Sequence, residues 1–226
     1  MNTGWWVTEG LAVNPAWVIS WCAWFVISVV LHELAHGWAA LWEGDSTPRE
    51  LGHMTWNPIV HMGWVSVIMF ALVGIGWGAM PVNPSRFRHT WGDALVSVAG
   101  PVMNLALAGV SILFAGVWLA VGDATGDRLF QNVSVFFQVG AMLNIVLACL
   151  NLLPIPPLDG SRILATYSWQ YRELISHPNA PLVGMLLVGL LVFRVVDPFG
   201  FADGLVVGAI NAVGAVLGAD YELGPG

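Results

Sequence analysis

The strongest constraint on this chain is a run of 28 residues, Pro15–Trp42, whose only charged side chain is Glu33. At 1.5 Å per residue such a run makes a helix about 42 Å long, enough to cross the ~30 Å hydrocarbon core of a bilayer. Asn14 suits its N-cap and Pro15 its first helical position, and Glu43-Gly44-Asp45 suits its end. Within the run stands Val29-Val30-Leu31-His32-Glu33-Leu34-Ala35-His36-Gly37-Trp38. Histidines four apart share one helix face, one turn from each other. Both imidazoles can therefore reach one zinc ion, with Glu33 beside them as a general base. The competing reading, a pair of helix-packing histidines, weakens inside a span, where each buried imidazole still needs a polar partner. Ionisable groups in hydrocarbon are costly and mark a functional site.

Composition agrees with a membrane solvent. The 226 residues are 57% hydrophobic and 9% charged, where a soluble domain carries roughly 25% charged residues. There is no lysine, and the net charge is -7, which leaves no basic surface for nucleic acid. Cys22 and Cys149 fall in apolar runs and read as small core residues rather than a disulfide framework. The N-terminus lacks the basic region of a cleavable signal peptide, and Trp5 and Trp6 suit a membrane interface.

Residues 46–57 are polar and Pro/Gly-punctuated, as in a loop or short strand. Residues 62–80 are apolar but carry Gly63, Gly74, Gly76 and Gly78, a poor uninterrupted helix. Further spans are expected at about 91–121, 130–153 and 181–196, joined in part by a tight connector at 122–128. Residues 201–217 form a weaker sixth candidate. The fold class expected is an all-α polytopic membrane protein of about five to six transmembrane helices, with a re-entrant or short β segment after the first. It forms a single domain over 1–226, with a core at about 15–165 and C-terminal helices at about 180–218.

Three blocks in order carry a resemblance: His32-Glu33-x-x-His36; Ala99-Gly100-Pro101-x-x-Asn104; and Asn151-Leu152-Leu153-Pro154 through Asp159-Gly160. Together they resemble the site-2 protease family of intramembrane zinc metalloproteases, in its short bacterial or archaeal form without PDZ or CBS domains. The segments Asn57-Pro58-x-x-His61 and Gly76-Trp77-Gly78-Ala79-Met80-Pro81-Val82-Asn83-Pro84 resemble one branch of it. That branch usually has Asp where this chain has Gly63.

The resemblance implies that Asp159 is the third ligand to one Zn²⁺ beside His32 and His36, and that Asn151 holds the substrate carbonyl or the oxyanion. Prolines ending the preceding helix and Gly160 agree with a carboxylate turned inward; the alternative role for Asp159 is to cap the next helix. Asn144, seven residues before Asn151, extends the same polar stripe toward substrate or makes an interhelical hydrogen bond. Asn104 is expected to pack helices. Pro81, Val82 and Asn83 are candidate substrate contacts, through pairing with an unwound guest segment. His61 is expected to be structural or to gate substrate, while His89 and His177 are expected to be solvated loop residues.

Depth restricts topology. The carboxylate of Asp159 must lie level with His32 and His36, so the helices before Asp159 and through His32 must run in the same direction. That requires residues 62–80 to dip in and return. Arg49, Arg86, Arg88, Arg162 and Arg172 then fall on one side and Arg128 on the other, making the active-site side cytoplasmic.

The expected activity is hydrolysis of a peptide bond within a transmembrane segment of another membrane protein, with Glu33 activating a zinc-bound water. One rival is a catalytically idle family member acting as a membrane regulator or adaptor. A second is a transporter, which would spread charges along several spans.

Overall fold

A computed structural model of the chain describes residues 5–122, 128–192, 197–219 and 222–224. These residues are helical or irregular, with no strand among them. In chain order the helices are α1 (Trp6–Val13), α2 (Pro15–Trp42), α3 (Thr47–Glu50), α4 (Pro58–Val73), α5 (Gly92–Val121), α6 (Arg128–Asn151), α7 (Asp159–Tyr167), α8 (Trp169–Ile175), α9 (Ala180–Leu190) and α10 (Pro198–Val216). Four of them, α2, α5, α6 and α10, are long and apolar enough to cross a membrane. Two shorter apolar helices accompany them among the described residues. α4 has 16 residues and α9 has 11, about 24 Å and 16 Å of rise, short of the ~30 Å core. The expected connector at 122–128 and the end of the expected span at 181–196 fall partly on residues 123–127 and 193–196, outside the described residues.

α2 begins as its sequence dictates, with the Asn14 side chain accepting from Trp17 N at 3.1 Å and Pro15 at the first position. α6 packs on two faces. One of its faces packs Ala141, Met142 and Val146 against Ala115 and Leu119 of α5 and Val206 and Ile210 of α10. Its other face packs Val139 and Leu143 against Trp24, Phe25 and Val29 of α2 and Met62 of α4. Close approach depends on small residues, as expected where lipid supplies no hydrophobic drive between helices. Trp24 lies over Gly140 and donates from Nε1 to Phe136 O at 2.8 Å, and Gly116 receives Val213. The outward faces are apolar: Val102, Leu105, Leu113, Phe114 and Val117 of α5 are all exposed, a surface suited to lipid and not to water.

The chain after α2 doubles back. α4 breaks at Gly63, whose φ of 68° and ψ of 161° belong to glycine alone, and it ends at Gly74 in the left-handed conformation. Residues 75–83 then return alongside α4 and α2 without regular structure. Ser66 Oγ bridges both polar backbone groups of Trp77, Ala79 N donates to His61 O at 2.9 Å, and Asn83 N reaches Asp45 Oδ2 at 2.6 Å. The chain thus leaves the end of α2 and comes back to it, and the short β segment considered for this region is an irregular strap. Gly63, where the resembled branch usually has Asp, is thus the residue at which α4 breaks.

Candidate metal centre

α5 runs antiparallel to α2, and the contact repeats every turn. His36 Nδ1 donates to Val96 O at 2.6 Å, and His32 Nδ1 to Asn104 Oδ1 at 2.6 Å. Gly100 lies midway between them on the same α5 face. Neither acceptor can donate a proton, so each ring carries its hydrogen on Nδ1 and turns an Nε2 lone pair inward. The two Nε2 atoms are 3.0 Å apart. Asp159 Oδ2 stands 3.1 Å from one and 3.4 Å from the other, and this buried oxygen has no hydrogen-bond partner. Three lone-pair donors aimed at one another are repulsive unless a cation lies among them. Tetrahedral zinc with bonds of about 2.0–2.1 Å spaces its ligand atoms about 3.3 Å apart. The set formed by His32, His36 and Asp159 therefore fits Zn²⁺ in both chemistry and spacing.

Space for the ion is made by a missing side chain. A Cβ on Gly100 would lie 2.5 Å from Nε2 of both histidines. Asp159 occupies the first turn of α7, where the helix dipole favours a carboxylate. α7 is pinned to α5 by Arg162, whose Nη2 meets Asp93 Oδ1 at 2.5 Å. Gly160 permits the tight passage behind Asp159, since a Cβ there would stand 2.5 Å from Leu153 O.

Behind His32 lies a relay whose first member, Asn104, was expected only to pack helices. Asn104 accepts from His32 and donates from Nδ2 to Asn144 Oδ1 at 2.9 Å; Asn144 in turn donates to Gly140 O at 2.8 Å. Both asparagines are fully buried. Of the two roles open to Asn144, its amide is engaged in the interhelical one. Asn104 was findable in principle, because it lies four residues beyond Gly100 and eight beyond Val96 on one helical face.

Glu33 is buried beside the pair and roofed by the returning strap. A Cβ on Gly78 would lie 2.7 Å from Glu33 Cγ. Asn151 sits at the last position of α6, half-buried, with Nδ2 donating to Leu147 O at 3.0 Å. Pro81, Val82 and Asn83 are half-buried at the end of the strap. The side chain of Asn83 caps a short 3₁₀ turn through Ser85 N and Ser85 Oγ. His61 is buried, bonding Thr55 O at 2.7 Å through Nε2. His177 is exposed. His89 is not simply solvated: its Nδ1 lies 3.0 Å from Glu43 Oε1, and its ring stacks on Trp91.

That last contact belongs to a clamp at the end of α2. Glu43 and Asp45 are almost wholly buried. Glu43 accepts from His89 N at 3.1 Å, and Asp45 accepts from Thr47 N and Asn83 N. Burial pushes both carboxyls up, but the hydrogen bonds prevail and hold both below their ordinary values: those of His89 for Glu43, and those of Asn83 and Thr47 for Asp45.

The family model described as Peptidase family M50 matches residues 21–121 and 116–193. Among curated relatives, a Bacillus subtilis protein named "Putative zinc metalloprotease YwhC" is 37% identical over 156 residues, covering 68% of this chain and 69% of the relative. A Mycobacterium tuberculosis protein named "Putative zinc metalloprotease Rip2" is 34% identical over 191 residues, 81% of this chain and 69% of the relative. The "Zinc metalloprotease MJ0392" of Methanocaldococcus jannaschii is 28% identical over 188 residues, 79% of this chain and 46% of the relative. No solved structure matches. With its zinc-type ligand set and this family match over most of its length, the chain belongs to peptidase family M50, the zinc metalloproteases of the site-2 type.

Proposed function

We propose that this protein is an intramembrane zinc endopeptidase that cuts a transmembrane segment of another membrane protein. The observation that carries this reading is the convergence of three ligand atoms, one of them a buried carboxylate oxygen without a hydrogen-bond partner, beside a buried glutamate and inside a bundle whose outward faces suit lipid. Zn²⁺ held by His32, His36 and Asp159 supplies a Lewis acid at neutral pH. Glu33 takes the proton of the attacking water and returns it to the leaving amine. Asn151 orients the scissile carbonyl and stabilises its developing charge. Asn104 keeps His32 in the tautomer that presents Nε2.

A transmembrane substrate shields its peptide bonds with its own i to i-4 hydrogen bonds, so it must unwind before cleavage. The strap of residues 75–83 is the element that receives it, with Pro81, Val82 and Asn83 at its mouth. Displacing Gly78 opens the roof over Glu33. The doubling back of residues 58–83 supports the same-side topology, and the arginine distribution then supports a cytoplasmic-facing site in a bacterial or archaeal cell membrane.

The test is Glu33→Gln against a panel of single-span membrane proteins in detergent, with zinc content measured on the same samples. The expected result is cleavage by the wild type, none by Glu33→Gln, and one zinc per chain in both. His32→Ala should lose zinc and activity together. Equal cleavage by Glu33→Gln would overturn the mechanism. A wild type that binds zinc but cleaves nothing would favour the idle regulator.

A further inference from the structure

On the face of the molecule where α2 ends, a cavity of about 470 Å³ opens between residues 84–90, the start of α5, α7 and α8. Its lining includes Arg88, His89, Thr90, Asp93, Thr166 and Arg172. The charges around it do not balance. Arg86, nearby, is matched by Glu50 at 3.0 Å and Asp45 at 3.8 Å, and Arg162 is matched by Asp93. Arg88 and Arg172 both line the cavity, and neither forms an ion pair with a described residue. Arg172 is oriented by Nε and Nη2, which donate to Ala165 O at 2.9 and 2.7 Å. Its Nη1 makes no hydrogen bond among the described residues. The side chain of Arg88 passes over Gly44, and its guanidinium likewise makes none. The one carboxylate in the lining, Asp93, is engaged by Arg162. Two unmatched guanidinium groups therefore share one cavity in a chain that has no lysine and a net charge of -7.

The level of the cavity in the membrane is marked by its neighbours. Trp42 ends α2, Trp91 precedes α5, Tyr167 ends α7 and Trp169 begins α8, and all four are exposed. Exposed Trp and Tyr at helix ends lie in the headgroup layer. We propose that this cavity binds the phosphate of an anionic phospholipid, clamped between Arg88 and Arg172. Arg88 offers the paired guanidinium donors that match phosphate oxygens, Arg172 adds Nη1, and Thr90 supplies a hydroxyl donor, whereas the Thr166 hydroxyl is already given to Arg162 O at 2.9 Å. Basic pockets at helix ends on the membrane surface take acidic headgroups for this reason. The inference stands whether or not the protein cuts a transmembrane substrate.

The test is lipid retention by the purified chain in mild detergent, read by native mass spectrometry. Phosphatidylglycerol and phosphatidylcholine are titrated in separate arms, and inorganic phosphate serves as competitor. The wild type should retain phosphatidylglycerol with about a tenfold preference, should not release it to inorganic phosphate, and should lose the preference in the Arg88→Gln/Arg172→Gln double variant. An Arg88→Lys/Arg172→Lys variant should keep part of it. One zinc per chain in every variant shows that the fold is intact, since neither arginine touches the metal ligands. Equal retention of the two lipids, or an unchanged preference in the double Gln variant, would overturn the proposal. Displacement by inorganic phosphate would assign the cavity to a free anion and overturn the lipid assignment.

Discussion

At the scale of single residues, the metal centre depends on groups that bind no metal themselves. Asn104 holds His32 at 2.6 Å and is held by Asn144, so Asn104→Ala frees the imidazole to rotate and change tautomer. Loss of such a partner typically costs 10–100-fold in metal affinity. Competition with a zinc chelator should show a weakening of about that size in a protein that still elutes as folded. Unchanged affinity would remove Asn104 from the site. Gly100→Ala is a harsher change, because its methyl would enter the space between the Nε2 atoms. Zinc measured on that variant should fall from one per chain to near none. Asn104 illustrates what sequence leaves open. Its position on the Gly100 face was legible, but the atom it meets lies 72 residues away on another helix.

At the scale of elements, the bend in α4 and the clamp after α2 decide where the strap lies. Gly63 has open space around it but a backbone only glycine tolerates. Gly63→Asp should therefore cost about 1–3 kcal/mol through strain alone, read as a lower midpoint of thermal unfolding in detergent. The clamp makes a pH prediction. Glu43 and Asp45 have folded values below their unfolded ones, so their stabilisation is complete above about pH 4, the unfolded carboxylate range. It is lost as pH falls through the lower folded values. Limited proteolysis should find residues 83–92 protected at neutral pH and cut increasingly as acid is added below that range. Asp45→Ala should be cut at neutral pH as well, since the N–H groups of Thr47 and Asn83 lose their acceptor at a cost of about 1–3 kcal/mol.

At the scale of the whole molecule, the ligand set ties α2 to α7, and through Asn104 and Val96 to α5, so bound metal should brace the bundle. Chelation should lower the unfolding temperature of the wild type, by an amount corresponding to about 2.7 kcal/mol when free zinc had stood at a hundredfold its dissociation constant. The same treatment should leave His32→Ala unmoved. The sequence by itself determined the membrane solvent, the span carrying the histidines and the end of the helix before Asp159. Those follow from local quantities: hydropathy over a window, a four-residue spacing, and prolines that end a helix. Only the tertiary structure decided that four helices among the described residues have spanning length, that the expected β segment is an irregular strap over Glu33, and that Asn144 turns its amide to Asn104. It also decided that Arg88 and Arg172 are left unmatched in one cavity. These are facts about which distant atoms meet, and no periodicity along the chain records them, because packing between helices is settled by shape and hydrogen bonding rather than by hydropathy.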